Sequence, residues 1–514
     1  MKTLTLFLAI LLTSIIANAQ APTIQWEKCY GGSSSDIANS INQTNDGGYI
    51  VAGYSYSTDG DVSGNHGNDD YWIVKLNAIG DTLWTKTFGG SNDDIANSII
   101  QTNDNGYIVA GYSSSIDGDV NGNHGGNDYW ILKLDEIGDT LWTKSLGGSS
   151  DDFAKSINQT SDGGYIIAGY SYSIDGDVSE NHGNRDYWII KLNEIGDTIW
   201  TKTFGGTNHD IANSIIQTND SSYIIAGYTS SINGDVSENH GVNDYWIIKL
   251  NATGDTIWTK SFGGTADDKA ISIDKTSNSG YIIGGYSSSI DGDINGNHGD
   301  FDYWIVKLND TGDTLWTKSL GGSNYDLAIS IKQTNDGGYI ISGYSNSNDG
   351  DVNENMGESD YWILKLNAIG DTLWTKTIGG SNYDAANSII QTNDGGYIIA
   401  GYSYSIDGDV SGNHGVIDYW IVKLSPDTLN SVSVINQKDF ILYPNPSTGN
   451  IQITMNNEQI GSTIQIVNIN GEIVKQFKIQ NSEFKIDLSK QAKGIYFVKL
   501  ISESGVSTQK VVLE

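Results

Sequence analysis

Short β-type runs of apolar and polar residues recur along most of this chain, and the same order of runs returns every 58 residues. Within the first interval, residues 40–44 alternate Ile41 with polar neighbours and predict a strand. Asn45-Asp46-Gly47-Gly48 follows, a turn built from residues that tolerate positive φ. Residues 49–54 (Tyr-Ile-Val-Ala-Gly-Tyr) predict a second strand and residues 71–76 (Tyr-Trp-Ile-Val-Lys-Leu) a third, with a polar loop between them. After a short turn at 77–81, residues 83–88 predict a fourth strand, which Gly89-Gly90 ends. The second and third runs are apolar on both faces, as expected of a small sheet covered on both sides. Nothing in this region has helical periodicity, and proline is absent between Pro22 and Pro426, as ladders that use every backbone N–H require.

The period is kept without insertion or deletion. Asp-Tyr-Trp places tryptophan at Trp72, Trp130, Trp188, Trp246, Trp304, Trp362 and Trp420, and a second series runs Trp26, Trp84, Trp142, Trp200, Trp258, Trp316 and Trp374. Repeats of this kind bury their apolar faces against their neighbours. Four strands per unit and seven units predict an all-β fold, a seven-bladed β-propeller over residues 20–424. The strand around Trp26 precedes any unit that can own it, and the last unit lacks a fourth strand. Residues 24–31 are therefore expected to complete the last blade and leave no open edge. After a polar linker, 425–441, short alternating strands predict a small C-terminal β-sandwich.

Composition narrows the function. Lys and Arg total 28 against 62 Asp and Glu, a formal charge of −34 that repels nucleic acid and anionic membranes. The single cysteine, Cys29, excludes an intrachain disulfide and reads as a small apolar residue, since later copies carry Thr87 or Ser145 there. Residues 1–19 have the basic start, apolar middle and Ala17-Asn18-Ala19 end of a secretory signal peptide. No other stretch is long and apolar enough to predict a membrane span.

The strand order, with its glycine-ended, aromatic and tryptophan strands, resembles the kelch-type propeller pattern over residues 24–424. The near-identical copies resemble the DGGYI/DYW repeat proteins of exported bacterial surfaces. The stretch 442–514 resembles the type IX secretion sorting domain (type A) in its Tyr443-Pro444-Asn445-Pro446 opening, its Asn470-Gly471 turn, its Gly494-Ile495-Tyr496-Phe497-Val498-Lys499 run and its basic-apolar end from Lys510. That resemblance implies recognition by the type IX secretion machinery and passage across the outer membrane of a Gram-negative cell. In that family the domain is usually removed, and the cargo is released or attached to surface lipopolysaccharide.

The loop between the second and third strands carries the densest candidate chemistry. Counted from Asp59, oxygen side chains stand at positions 1, 3 and 5 (Asp59, Asp61, Ser63) and a carboxylate at 12 (Asp70), the spacing of calcium loops. The corresponding carboxylates are Asp117, Asp119 and Asp128; Asp175, Asp177 and Asp186; Asp235 and Asp244, with Asn233; Asp291, Asp293 and Asp302; Asp349, Asp351 and Asp360; and Asp407, Asp409 and Asp418. One reading is a Ca²⁺ site in each copy. The other is an Asp/Asn/Gly turn held by side chain to backbone bonds. The loops also carry His66, His124, His182, His240, His298 and His414, with Met356 in the remaining copy, which breaks any histidine ring. A further carboxylate series, Asp36, Asp94, Asp152, Asp210, Asp268, Asp326 and Asp384, stands just before each first strand. It is able either to gather a cation or sugar at one mouth or to accept backbone N–H bonds.

No Ser-His-Asp order, phosphate loop, dinucleotide fingerprint or zinc spacing occurs. Near-identical copies supply equivalent environments, whereas glycosidase chemistry needs two carboxylates in different ones at a set separation. No copy departs strongly from the others. The expectation is a non-catalytic surface propeller binding glycan or protein partners, with Tyr54-Ser55-Tyr56-Ser57 and Tyr402-Ser403-Tyr404-Ser405 suited to sugars. The alternatives are an exported carbohydrate-active enzyme with its site at the channel mouth, and a calcium-stiffened structural repeat.

Overall fold

A computed structural model describes residues 20–427, 440–455, 462–468, 473–502 and 505–514. The expected signal peptide, 1–19, and most of the expected linker lie outside the described residues. Ala21–Asp427 forms one compact unit, and the C-terminal residues belong to a second.

All regular structure among the described residues is β. The first unit contains seven four-stranded antiparallel sheets. In the first of these, Asp36–Gln43 pairs with Tyr49–Ser55, which pairs with Asp70–Leu76, which pairs with Thr82–Phe88. The first strand of each sheet starts four residues before the apolar run that announced it, at Asp36 rather than Ser40. The reason is a register shift between Ala38 and Ser40, which interrupts the two-residue alternation at Asn39. The freed Asn39 amide donates across to the Ala96 carbonyl of the next sheet (2.9 Å).

Each sheet is cemented to the next by the same contacts. The third strand is buried along its whole length, and Trp72 and its six equivalents have no exposed surface. The Tyr71 hydroxyl donates to the Trp130 carbonyl of the following sheet, and this bond recurs at 2.8–3.0 Å between every successive pair. It recurs once more from Tyr419 of the last sheet to Trp72 of the first. The ring of Tyr71 also packs on Trp130, centroids 4.6 Å apart, and Tyr419 on Trp72 at 4.5 Å. A second set of bonds runs between the first strands. The backbone N–H of Ile99 donates to Ser40 Oγ, and its counterparts do so at 3.2–3.4 Å through to Ile41 N–H and Ser388 Oγ.

The N-terminal strand Ile24–Tyr30 pairs antiparallel with Asp418–Leu424 and supplies the fourth strand of the last sheet. Its Trp26 packs on Tyr49 and against Gly80 of the first sheet, as Trp84 packs on Tyr107 and against Gly138 one period later. Gly80 is the residue that permits this approach. It turns at φ +80°, and a Cβ there would stand 2.9 Å from the indole.

The C-terminal unit has a three-stranded sheet (Phe440–Tyr443, Asn450–Met455, Glu483–Asp487) and a four-stranded one (Ile473–Lys478, Thr463–Asn468, Gly494–Ser502, Gly505–Leu513). Phe440, Ile453 and Ile486 of the first share one apolar core with Ile464, Val498 and Val511 of the second.

Candidate functional site

The Asp-rich loop is a clasp between sheets. Gly60 turns the chain at φ +66°. Asp59 then accepts a bond from the Ser33 N–H (2.7 Å), and Asp61 accepts one from the Gly31 N–H (3.3 Å). Both donors lie just past the strand that completes the neighbouring sheet. The next copy repeats this with Asp117 on Ser91 N–H and Asp119 on Gly89 N–H, and Asp175, Asp291, Asp349 and Asp407 each hold the corresponding N–H at 2.7–2.8 Å. Asp177, Asp235, Asp293 and Asp351 repeat the role of Asp61 at 3.1–3.2 Å. Asp409 meets Gly379 through its own backbone N–H instead. Ser63 contributes its carbonyl, which accepts from Thr87 Oγ1 (2.8 Å). Asp70 is buried and accepts from both the backbone N–H and Nδ1 of His66. Asp128, Asp186, Asp244, Asp302 and Asp418 have the same histidine contact. Among the described residues no group of three or more His, Cys, Asp or Glu side chains converges as a metal site.

The buried position-12 carboxylate instead meets the other aspartate series. A Cβ built on Gly31 would stand 2.5 Å from Asp36 Oδ2 and 2.6 Å from Asp418 Oδ1, so the two carboxyl groups approach the same point. Six equivalent glycines mark the same pairing, Asp70 with Asp94 and Asp360 with Asp384 among them. Asp36 also accepts from the Gly32 N–H and Ser57 Oγ, which is the strand-start role expected of that series. Burial pushes Asp36, Asp94, Asp152, Asp186 and Asp326 up to about 6. Burial also raises Asp360, which has Met356 where the others have histidine, to about 7. Oδ1 of Asp70, Asp128, Asp360 and Asp418 has no hydrogen-bond partner. A proton on either carboxyl of a pair is the donor such an oxygen lacks.

Two regions break the repetition. At the Ser55 end of the sheets, Tyr54, Tyr112, Tyr170, Tyr228, Tyr286, Tyr344 and Tyr402 occupy one repeated position, half-buried. Between the last two sheets this aromatic set widens into a cavity of about 450 Å³ lined by Glu358, Asn382, Tyr383, Tyr402 and Tyr404. Tyr383 stacks on Tyr402 at 6.2 Å and 19°, and Tyr404 stands edge-on to both. Arg185, the sole arginine, lies over Tyr172 and Tyr170 at 4.7 and 5.5 Å, so a third sheet also departs from its fellows. The second region is a central cavity of about 810 Å³ lined by the first strands of all seven sheets. Lys155, Lys275 and Lys332 reach it from three of those strands.

The expectation that no copy stands apart therefore holds for the walls between sheets and fails at these two openings. Tyr383, Glu358, Lys155 and Lys332 were missed because each stands in a column that varies among copies whose neighbouring segments repeat. The signal lay in the columns 58 residues apart: Tyr383 falls in a column with Ser35, Asp93, Asp151, His209, Asp267 and Tyr325.

Among curated proteins, 259 residues are 24% identical to the regulatory protein FlaEY of Caulobacter vibrioides, covering 47% of this chain and 26% of that one. A stretch of 141 residues is 31% identical to beta-agarase A of Zobellia galactanivorans, covering 24% of this chain and 25% of that one. The chain thus spans about a quarter of the length of each of these relatives. Among solved structures, the Neurospora crassa Pan2 WD40 domain matches with a TM-score of 0.42 at 11% identity, covering 76% of this chain and 89% of that one. PorZ, a bacterial surface component of the type IX secretion system of Porphyromonas gingivalis, matches with a TM-score of 0.26 at 11% identity, covering 96% and 75%. Residues 441–514 match the model of the secretion system C-terminal sorting domain, so the chain carries the signal for export by type IX secretion to the cell surface or beyond.

Proposed function

We propose that the chain is an exported, non-catalytic glycan-binding protein whose first unit is a seven-bladed β-propeller and whose sorting domain is a small β-sandwich. The repeated bonds from each sheet to the next, and from the last to the first, support the closed ring. The two C-terminal sheets around one core support the sandwich.

The observation that carries the binding role is the cavity of Tyr383, Tyr402 and Tyr404. Aromatic faces suit the C–H faces of sugars, and the Glu358 carboxylate beside them makes no hydrogen bond among the described residues, so it is available to sugar hydroxyls. No second carboxyl lines that cavity, which argues against hydrolysis by a carboxylate pair.

A glycan array probed with the full secreted chain, with agar-derived oligosaccharides in the panel, tests the reading. Retention without products is expected. Tyr402→Ala is expected to lower retention about two- to tenfold, since aromatic contacts contribute about 0.5–1.5 kcal/mol. Release of shortened products would contradict the non-catalytic reading, and no retention on any sugar would contradict the glycan reading.

A further inference from the structure

The central cavity is a cationic pocket inside a strongly acidic protein. Its lining carries three lysines, Lys155, Lys275 and Lys332, against one carboxylate, Asp274, while the whole chain carries −34. Asp274 forms no ion pair with any of them among the described residues, and the lining keeps an excess of positive charge. The two Asp274 oxygens accept from the backbone N–H groups of Lys275 and Gln333, at 2.9 Å each.

Lys155 departs furthest from the repeat. At the equivalent positions of four other sheets, Asn39, Asn97, Asn213 and Asn387 donate their side-chain amides to the carbonyls of Ala96, Ala154, Ala270 and Ala38 in the next sheet. Lys155 makes no such bond, and no carboxylate lies within ion-pair distance of it among the described residues. Burial alone pushes its ammonium below its ordinary pKa. Lys155 is only partly exposed, facing the cavity, and it replaces a residue that would have bonded the neighbouring sheet. An unpaired ammonium lining a polar cavity attracts a counter-charge from solution. Lys332 stands in a mixed column, with Asn42, Ile100, Asn158, Ile216, Asp274 and Ile390 at its equivalents. The lining begins at the level of Lys155 and runs toward the turn end of the strands, away from the tyrosines, which pair at the opposite end (Tyr54 with Ile37).

We propose that this cavity binds a small ligand carrying an oxyanion, a carboxylate or a sulfate, with Lys155 at its deep end and Lys332 and Lys275 nearer the opening. The lining offers serine hydroxyls and amides as neutral partners, and the volume suits a ligand of monosaccharide to disaccharide size. This site is separate from the tyrosine cavity, so either can fail without the other.

Calorimetric titration of the full chain at low ionic strength with sodium sulfate, galacturonate and galactose tests the proposal. Binding of sulfate alone assigns an inorganic ion. Tighter binding of galacturonate assigns an acidic sugar, and galactose is expected to give no heat. Lys155→Asn installs the repeat's own residue, so it is expected to keep or raise the melting midpoint while weakening the anion at least tenfold. Lys155→Gln serves in its place if that variant does not fold, and Lys332→Ile is expected to weaken binding less. Absence of heat from both anions, or an unchanged Kd in a folded Lys155 variant, would overturn the proposal.

Discussion

Trp188 and Trp246 stand one period apart in the same surroundings, whereas Lys155 and Asn213, also one period apart, do not. Both indoles are wholly buried and each receives the ring and hydroxyl of a neighbouring sheet's tyrosine. The Asn213 side chain bonds the next sheet, and that of Lys155 makes no bond among the described residues. The walls between sheets are held constant by packing, because a change there meets two sheets at once. The positions facing the openings meet solvent, so they are free to differ, and their differences carry chemistry.

The largest break in that comparison is expected at a wall. Trp246→Ala removes the most buried kind of side chain in the protein and is expected to cost about 3–5 kcal/mol of unfolding free energy in urea titration. A cost below 1 kcal/mol would mean that the walls are not the source of stability.

The acid pairs make the walls sensitive to pH, and the sign is set by the direction of the shifts. Carboxyls raised to about 6 stay protonated in the folded chain at pH values where the unfolded chain, near 3.9, has already lost its protons. The folded state therefore binds more protons, and stability falls as pH rises from about 4 to about 6 or 7. Asp46 acts in the other direction. Burial would raise it, but bonds from Thr44 and Lys75 carry it to about 2, so its contribution is lost as pH falls below 4. The thermal midpoint is expected to peak near pH 4–5 and to decline toward 7. A profile that rises steadily to pH 7 would contradict the pairing. Met356→His should supply Asp360 with the partner its six fellows have and restore about 1 kcal/mol at pH 7.

The smallest effect is expected where a repeated bond faces the cavity. Ser214→Ala removes an acceptor 3.4 Å from the Ile273 N–H and should cost under about 1 kcal/mol, with no change in sugar retention.

Much of the wall was legible in the sequence because packing writes itself as period and apolar runs. The tryptophan series, the Asp-Tyr-Trp strand and the pairing of the N-terminal strand with the last sheet all follow from spacing. The start of the first strand did not, because the shift at Asn39 breaks the alternation where the residues turn polar. The Asp-rich loop was legible only in part for a related reason. Spacing along the chain gathers Asp59, Asp61 and Asp70, but their partners (Ser33, Gly31 and His66) include residues of the neighbouring sheet that no local pattern reveals. The two cavities are legible only in columns 58 residues apart, since each is set by the positions at which one copy differs from the others.

The closed ring we propose rests on the N-terminal strand, and hydrogen exchange measured by mass spectrometry tests it most directly. Closure predicts that the amides of Ile24–Tyr30 exchange as slowly as those of Asp418–Leu424, with which they pair. Exchange of 24–30 at the rate of a free chain end, beside protected 418–424, would contradict it.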